Sequence, residues 1–305
     1  MPPSTRACGT ADSLVQAAVR LPSPPARGNV ARAWTQLRRN RAAVAGLIVI
    51  GVLVFAAIFA PYLAPYNPYT VSLDTRLQPP GGAHLLGTDE LGRDILSRLI
   101  FGTRVALWVG IVTVVLSGFL GVSGGLVAGF LGGYWDAVIM RLVDVFLAFP
   151  VIILAIAIVA VRGPGLTNVL LALVLVYWTS YARVARAIVL LLREEEYTWA
   201  ARTLGASPVR IMLRHLLPNA VAPMVVLASL GMGNAILAEA ALSFLGLGIQ
   251  PPEASWGSML NVGMGFLRDA SFLSTFPGVA IFVTVLGFNL LGDGLRDALD
   301  PRMRT

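Results

Sequence analysis

Arg141, Asp144 and Glu239 are ionisable side chains that fall inside apolar runs of this 305-residue sequence. A charge at such a depth is costly, so each must face a cavity, a partner or a pairing group, and carboxylates so placed can relay protons or steer solutes. Arg141 and Asp144 stand three residues apart, which on a helix sets them on one face, where they can pair near the inner interface or meet a solute. Glu239 admits two readings, a group lining or gating a polar passage and a hydrogen-bonding group against a neighbouring helix. Asn234 and Asn289 admit the same two. No nucleophile and base pair occurs within the apolar runs, and His84 and His215 are isolated from other ligand types. The single cysteine, Cys8, excludes an internal disulfide. There is no lysine, so there is no GxxxxGK[ST] phosphate loop, and any ATP chemistry belongs to a partner.

The second chemically distinct stretch is polar where its surroundings are apolar: residues 194–219, EEEYTWAARTLGASPVRIMLRHLLPN. The alanine-rich run 197–204 favours helix, and Gly205 suits a left-handed cap. Ser207 followed by Pro208 is the cap and first residue of a second helix. Leu217, Pro218 and Asn219 are expected to break the chain before the next apolar run. A helix, a sharp turn and a second helix at a bilayer surface can sit in a groove of a soluble partner and pass on its rotation.

The elements that must position these residues are membrane helices. At 56% hydrophobic and 13% charged, with mean hydropathy +0.76, the chain is too apolar for a soluble domain. Its net charge of +7 is all arginine and falls at span ends, which points away from nucleic acid. Six spans are expected, at about 44–62, 105–130, 137–161, 169–184, 221–245 and 272–291. Arginines of the inner segments outnumber those of the outer ones, 16 to 6, when both termini are cytoplasmic. Residues 1–41 read as a cytoplasmic tail, 42–104 as the first span and a long outer loop, 105–295 as the core with its loop 194–219, and 296–305 as a second cytoplasmic tail. Within the outer loop, Leu91, Ile95, Leu99 and Ile100 predict a short amphipathic surface helix, ordered by Asp89, Arg93 and Asp94. Gly110, Ser117, Gly118, Gly121, Ser123, Gly124 and Gly125 give the second span a close-packing seam. Trp108, Trp135, Trp178 and Trp256 are expected as interface anchors. No inverted internal repeat is visible.

The stretch AARTLGASPVRIMLRHLLP resembles the EAA coupling motif of ATP-binding-cassette importer permeases, with Gly205 and the pair Leu217 and Pro218 at the motif's spacing. GTDELGRDILSRLIFGTR, DVFLAFP, GPGLTN, ILAEAALSFLGLGIQPPEASWG and GDGLRDALDPR extend the resemblance over residues 32–302, to the C-type permeases of the dipeptide, oligopeptide and nickel subfamily. Trp199 departs from it, standing where the motif usually has Glu. The resemblance implies an all-α, six-span type I importer permease. It further implies a homologous second permease, two ATPase subunits that carry ATP and Mg, and an extracytoplasmic binding protein, which the outer residues Asp89, Arg93 and Asp94 would be placed to meet. The coupling contacts it implies are Tyr197, Trp199, Ala200, Ala201, Arg202, Leu204, Gly205, Ala206 and Ser207. Its implied cargo is a dipeptide or short oligopeptide, with a nickel chelate or other small solute as the alternative. An ion-gradient transporter using Glu239 and Asp144 as proton sites is the rival from another class.

Overall fold

The computed structural model describes residues 29–299, and every named secondary-structure element of length among them is helical. The expected tails, with Cys8, lie largely outside the described residues. Helix α1 (Asn29–Arg39) leads into α2 (Arg41–Ile58), whose start is capped by the Asn40 side chain accepting from the Ala42 and Ala43 amides. After a 3₁₀ turn at Leu73–Thr75 comes α3 (Ile95–Leu131), 37 residues long. There follow α4 (Gly133–Leu147), α5 (Val151–Arg162), α6 (Leu166–Leu192), α7 (Glu196–Thr203), α8 (Pro208–Ile211), α9 (Leu217–Phe244), α10 (Trp256–Met264) and α11 (Phe272–Leu299). Among the described residues, five helical stretches are long and apolar enough to cross a membrane, and the α4 and α5 pair makes a sixth if it is one span.

Four expectations about local structure are corrected. The outer amphipathic helix does not exist as a separate element, because Ile95 is fully buried and opens α3 directly, with Asp94 accepting from the Ser97 amide as its cap. The third span is broken at 148–150, and its halves meet at 87°. Pro150 lacks an amide for the Phe146 carbonyl and disfavours helical backbone at Phe149, a local effect that hydropathy averages over. Pro218 produces no break, since a π turn at Met212–Leu216 carries α8 into α9 and the widened turn just before it accommodates the proline. Trp256 is no surface anchor. It is 3% exposed, its indole donates to the Leu99 carbonyl at 3.0 Å, and its ring fills the space beside Gly102.

Helices α3 and α6 form the spine. A Cβ on Gly125 would come within 2.5 Å of the Ala182 carbonyl and one on Gly129 within 2.8 Å of Val189, so the two backbones touch. Ser117 adds a hydrogen bond to the Val174 carbonyl at 3.3 Å. The seam therefore runs through Ser117, Gly121, Gly125 and Gly129, while Ser123 faces outward. Val109, Val159, Leu173 and Leu242 pack one part of the core; Leu107, Ile236, Leu273 and Phe288 pack another.

Candidate functional site

One end of the bundle gathers the C-terminus of α3, the turn between α7 and α8, and the start of α9. Two faces of this segment have opposite characters. Ala201, Ile211 and Leu216, each under 10% exposed, pack with Leu126 of α3 and Val189 of α6. Thr198 is fully buried and donates from Oγ1 to the Leu192 carbonyl at 2.8 Å, tying α7 to the end of α6. On the other face Tyr197, Trp199, Leu204, Val209 and Leu213 are exposed, Leu204 to 87%.

The turn is built as its sequence chemistry requires. Gly205 takes φ +75, a left-handed conformation that costs other residues energy, and the Ala206 amide reaches back to the Ala201 carbonyl at 3.0 Å. Ser207 then caps α8 by accepting from the Arg210 amide at 3.4 Å, with Pro208 in the first turn. The helices are so short that their positions depend on the buried anchors rather than on helix propensity.

The side chains named from the motif divide accordingly. Ala201 is buried, Arg202 and Ala206 are half-buried, and Tyr197, Trp199, Ala200, Leu204, Gly205 and Ser207 are exposed. Arg202 lies 5.2 Å from the centroid of the Trp199 ring and 5.1 Å from that of Phe130 at the end of α3. The aromatic face thus takes the cation that a carboxylate at position 199 would pair with three residues on. Arg193 adds a second tie, donating to the Gly129 carbonyl at 3.1 Å. Val209 and Leu213, not singled out from sequence, extend the exposed apolar patch; their spacing of four residues in a polar segment was the available signal. Phe130 is 72 positions from Arg202, beyond local patterns.

The membrane-depth residues are scattered rather than gathered. Glu239 is 2% exposed and accepts from Ser243 Oγ at 2.6 Å. Ser243 in turn accepts from the Ile249 amide at 3.1 Å, so the group ties α9 to the segment leading into α10. Asn234 is exposed, and its carbonyl accepts from the Tyr177 hydroxyl at 3.3 Å. Asn289 is half-buried beside Gly233, on the seam between α9 and α11. Asp144 does not pair with Arg141. Its partner is Arg183 of α6 at 3.1 Å, and Asp136 holds Arg186 through two hydrogen bonds of 2.5 and 2.6 Å. Pairing between helices won over pairing along one helix because α4 lies against α6.

At the opposite end, residues 84–98 enclose their charges. Arg93 bonds Asp89 at 2.6 Å and Glu90 at 2.9 Å, Arg98 lies 3.5 Å from Asp89, and His84 meets Asp94 at 2.9 Å.

Residues 121–305 match the family described as binding-protein-dependent transport system inner membrane component, and residues 30–80 match the N-terminal TM domain of oligopeptide transport permease C. The chain is 50% identical over 277 residues to the dipeptide transport system permease protein DppC of Escherichia coli K12, covering 89% of this chain and 92% of that one. It is 46% identical over 273 residues to the protein of the same name from Alkalihalophilus pseudofirmus, covering 90% of each. A di/tripeptide permease of Pseudomonas aeruginosa is 46% identical over 277 residues, covering 89% of this chain and 91% of that one. Among solved structures, a chain of the inward-facing MetNI methionine ABC transporter superposes with TM-score 0.54 at 20% identity, over 67% of this chain and 96% of that one. That likeness concerns the fold.

Proposed function

Since the chain belongs to the binding-protein-dependent transport system inner membrane component family, we propose that it is the C-type permease subunit of an ATP-driven importer that moves dipeptides or short oligopeptides across the cytoplasmic membrane. The dipeptide cargo follows the relatives' names and their 46–50% identity over most of the chain. The chain carries out no covalent chemistry. It pairs with a homologous permease, docks on ATPase subunits that hold ATP and Mg, and receives cargo from an extracytoplasmic binding protein.

One observation carries the coupling role: an apolar tip, Leu204 at 87% exposure with Trp199, Val209 and Leu213 around it, stands on a turn whose other face is anchored in the bundle. Such a knob fits a groove of a soluble partner, and its anchors pass rigid-body motion to α3 and α6. This end is then cytoplasmic, with both termini on the same side, in accord with the arginine bias. When the two ATPases close on ATP, the knobs move together and the spans exchange inward-facing for outward-facing arrangements; hydrolysis resets them. Asn234, outward on α9, faces the shared passage, whereas Glu239 and Asn289 act from within the subunit by holding α9 to its neighbours.

Uptake into vesicles carrying the complete transporter and its binding protein tests this reading. Dipeptide accumulation should require ATP and survive collapse of the proton gradient. Loss of uptake on collapse, with ATP still present, would sink it in favour of an ion-driven carrier.

A further inference from the structure

Two features of α4 and its continuation sit badly against lipid. The first is the pair of Asp144 and Arg183: both side chains are 58% exposed, so the pair points out of this subunit. Asp144 lies nine residues past Trp135, about 13 Å deeper at helical rise. The second is the broken backbone at 148–150. Ala148, Phe149 and Pro150 are all exposed, and the Phe146 carbonyl accepts a long 3.4 Å bond from the Phe149 amide in place of the donor that Pro150 lacks. Exposed charge and irregular backbone at membrane depth are tolerated where they line a water-filled cavity or are buried in protein, not where they meet acyl chains.

The outward stripe of α6 agrees with this. Tyr177, Ser180, Arg183 and Ala187 fall within one face, and Tyr177 reaches Asn234 of α9. Polar contacts thus link α9 to α6 through Tyr177 and α6 to α4 through Arg183, among exposed apolar side chains such as Val145 and Phe149. Arg141, one turn before Asp144 on α4, is exposed on the same helix and makes no ion pair among the described residues.

We propose that this surface lines the passage between the two permeases and that Asp144 and Arg183 form a transient site for the charged ends of a zwitterionic peptide. The site rests on the transport reading above. Asp144 takes the ammonium and Arg183 takes the carboxylate, while Arg141 stands one turn away on α4 as a neighbour outside the pair. The ion pair that closes the site when it is empty opens to receive cargo and re-forms behind it, so no charge is left uncompensated at depth. A resting pair also keeps the site weak, as a passage requires, because cargo must displace an existing partner on each side.

The test uses the complete transporter in membrane vesicles, with Cys8→Ser removing the native thiol and Arg141→Cys introducing a reporter that leaves the pair of Asp144 and Arg183 intact. A charged, membrane-impermeant thiosulfonate should label the thiol of Arg141→Cys at least ~10-fold faster than a cysteine placed at Val52, an outward apolar position of α2, where the reagent would have to enter lipid. Millimolar dipeptide on the cytoplasmic face should slow that labelling roughly threefold, as partial occupancy of a weak site does. The N-acetylated, amidated dipeptide should leave it unchanged, and Asp144→Asn should abolish the protection. Labelling no faster than at Val52, or equal slowing by the blocked peptide, overturns the proposal. If Arg141→Cys does not assemble, Asp144→Cys gives the same accessibility readout. A transporter that moves no peptide with ATP refutes the function proposed above, whereas parental uptake rates with an unreactive thiol in Arg141→Cys refute only this site.

Discussion

The two polar segments at opposite ends of the bundle handle charge in opposite ways. Residues 84–98 turn their charges inward: Asp89, Arg93, Asp94 and Arg98 are each 6% exposed or less, and His84, Glu90 and the Ser97 hydroxyl complete their hydrogen bonding. Residues 194–219 turn charges and apolar side chains outward, with Glu194, Glu195 and Glu196 exposed beside Leu204 and Trp199. The first segment meets most of its charges within itself and the adjoining loop, where Arg98 donates to the Pro68 carbonyl. The second is anchored on one face and left incomplete on the other, which is what a surface made for a partner requires. Its stability must come from Thr198, Ala201, Ile211 and Leu216, because its outer face contributes little until something covers it.

The sharpest way to break that contrast is to remove one buried carboxylate. Asp89 faces Arg93 and Arg98 and also accepts from the Leu91 and Arg93 amides, both at 2.9 Å. Asp89→Ala leaves Arg98 enclosed without its anion and Arg93 with Glu90 alone, a loss of about 3–5 kcal/mol. Thermal unfolding of the purified complex should move down by several degrees, while Glu194→Ala moves it by less than the error. Equal effects would show that the two ends do not differ as described.

The turn at Gly205 offers the next largest effect. Nothing lies within 4 Å of a Cβ built on Gly205, so Gly205→Ala meets no clash and its cost is backbone strain alone, about 1–2 kcal/mol. Because the turn is held only by short helices, that strain should tilt the Leu204 tip. The ratio of peptide transported to ATP hydrolysed is expected to fall, with insertion and assembly intact; an unchanged ratio would mean that the tip's orientation does not govern coupling.

Such cap chemistry is the part of the site most legible in the sequence. Gly205, Ser207 and Pro208 each have one strong local reason to stand where they do, and the structure uses all three. The apolar runs were legible for the same kind of reason, since each helix must satisfy its own backbone in lipid. What escaped was set by distance along the chain. Asp144 is 39 positions from Arg183, so nothing nearby could reveal that it would leave Arg141 unpaired. Phe130 and Trp256 found their roles through tertiary packing. The break at Pro150 was visible as a residue but outvoted by the hydropathy around it, and the surface helix was misread because the periodicity of 91–100 belongs partly to the start of α3.

A smaller effect tests how the anchored face is fixed. Arg202, held between Trp199 and Phe130, should contribute about 0.5–1 kcal/mol through its two ring contacts. Arg202→Ala is expected to lower the ratio of transport to hydrolysis modestly. Trp199→Glu should preserve it, because a carboxylate three residues before Arg202 restores a partner for the cation. If Trp199→Glu uncouples as strongly as Arg202→Ala, the ring itself contacts the ATPase and the stack on Arg202 is incidental.

The smallest effect distinguishes the enclosed segment from within. Glu90 Oε1 accepts from Arg93 Nη2 at 2.9 Å, but its Oε2 is buried with no partner. Burial, and then the neighbouring Asp89, push this carboxyl above its ordinary value of 4.5, against the pull of Arg93 and Arg98. A carboxyl raised on folding favours the folded state while protonated; that contribution is fully present below the unfolded value and is lost as pH rises through the folded one. Glu90→Gln keeps a neutral acceptor for Arg93 at every pH, so its stability relative to the parent should increase as pH climbs from about 4.5 toward neutrality, by about 0.5 kcal/mol or less. Melting the two proteins side by side across that window cancels the titration of the other carboxylates. A difference that is flat with pH, or that favours the parent at neutral pH, would mean that the Glu90 charge is satisfied in the folded loop and that the segment's enclosure is complete at this position too.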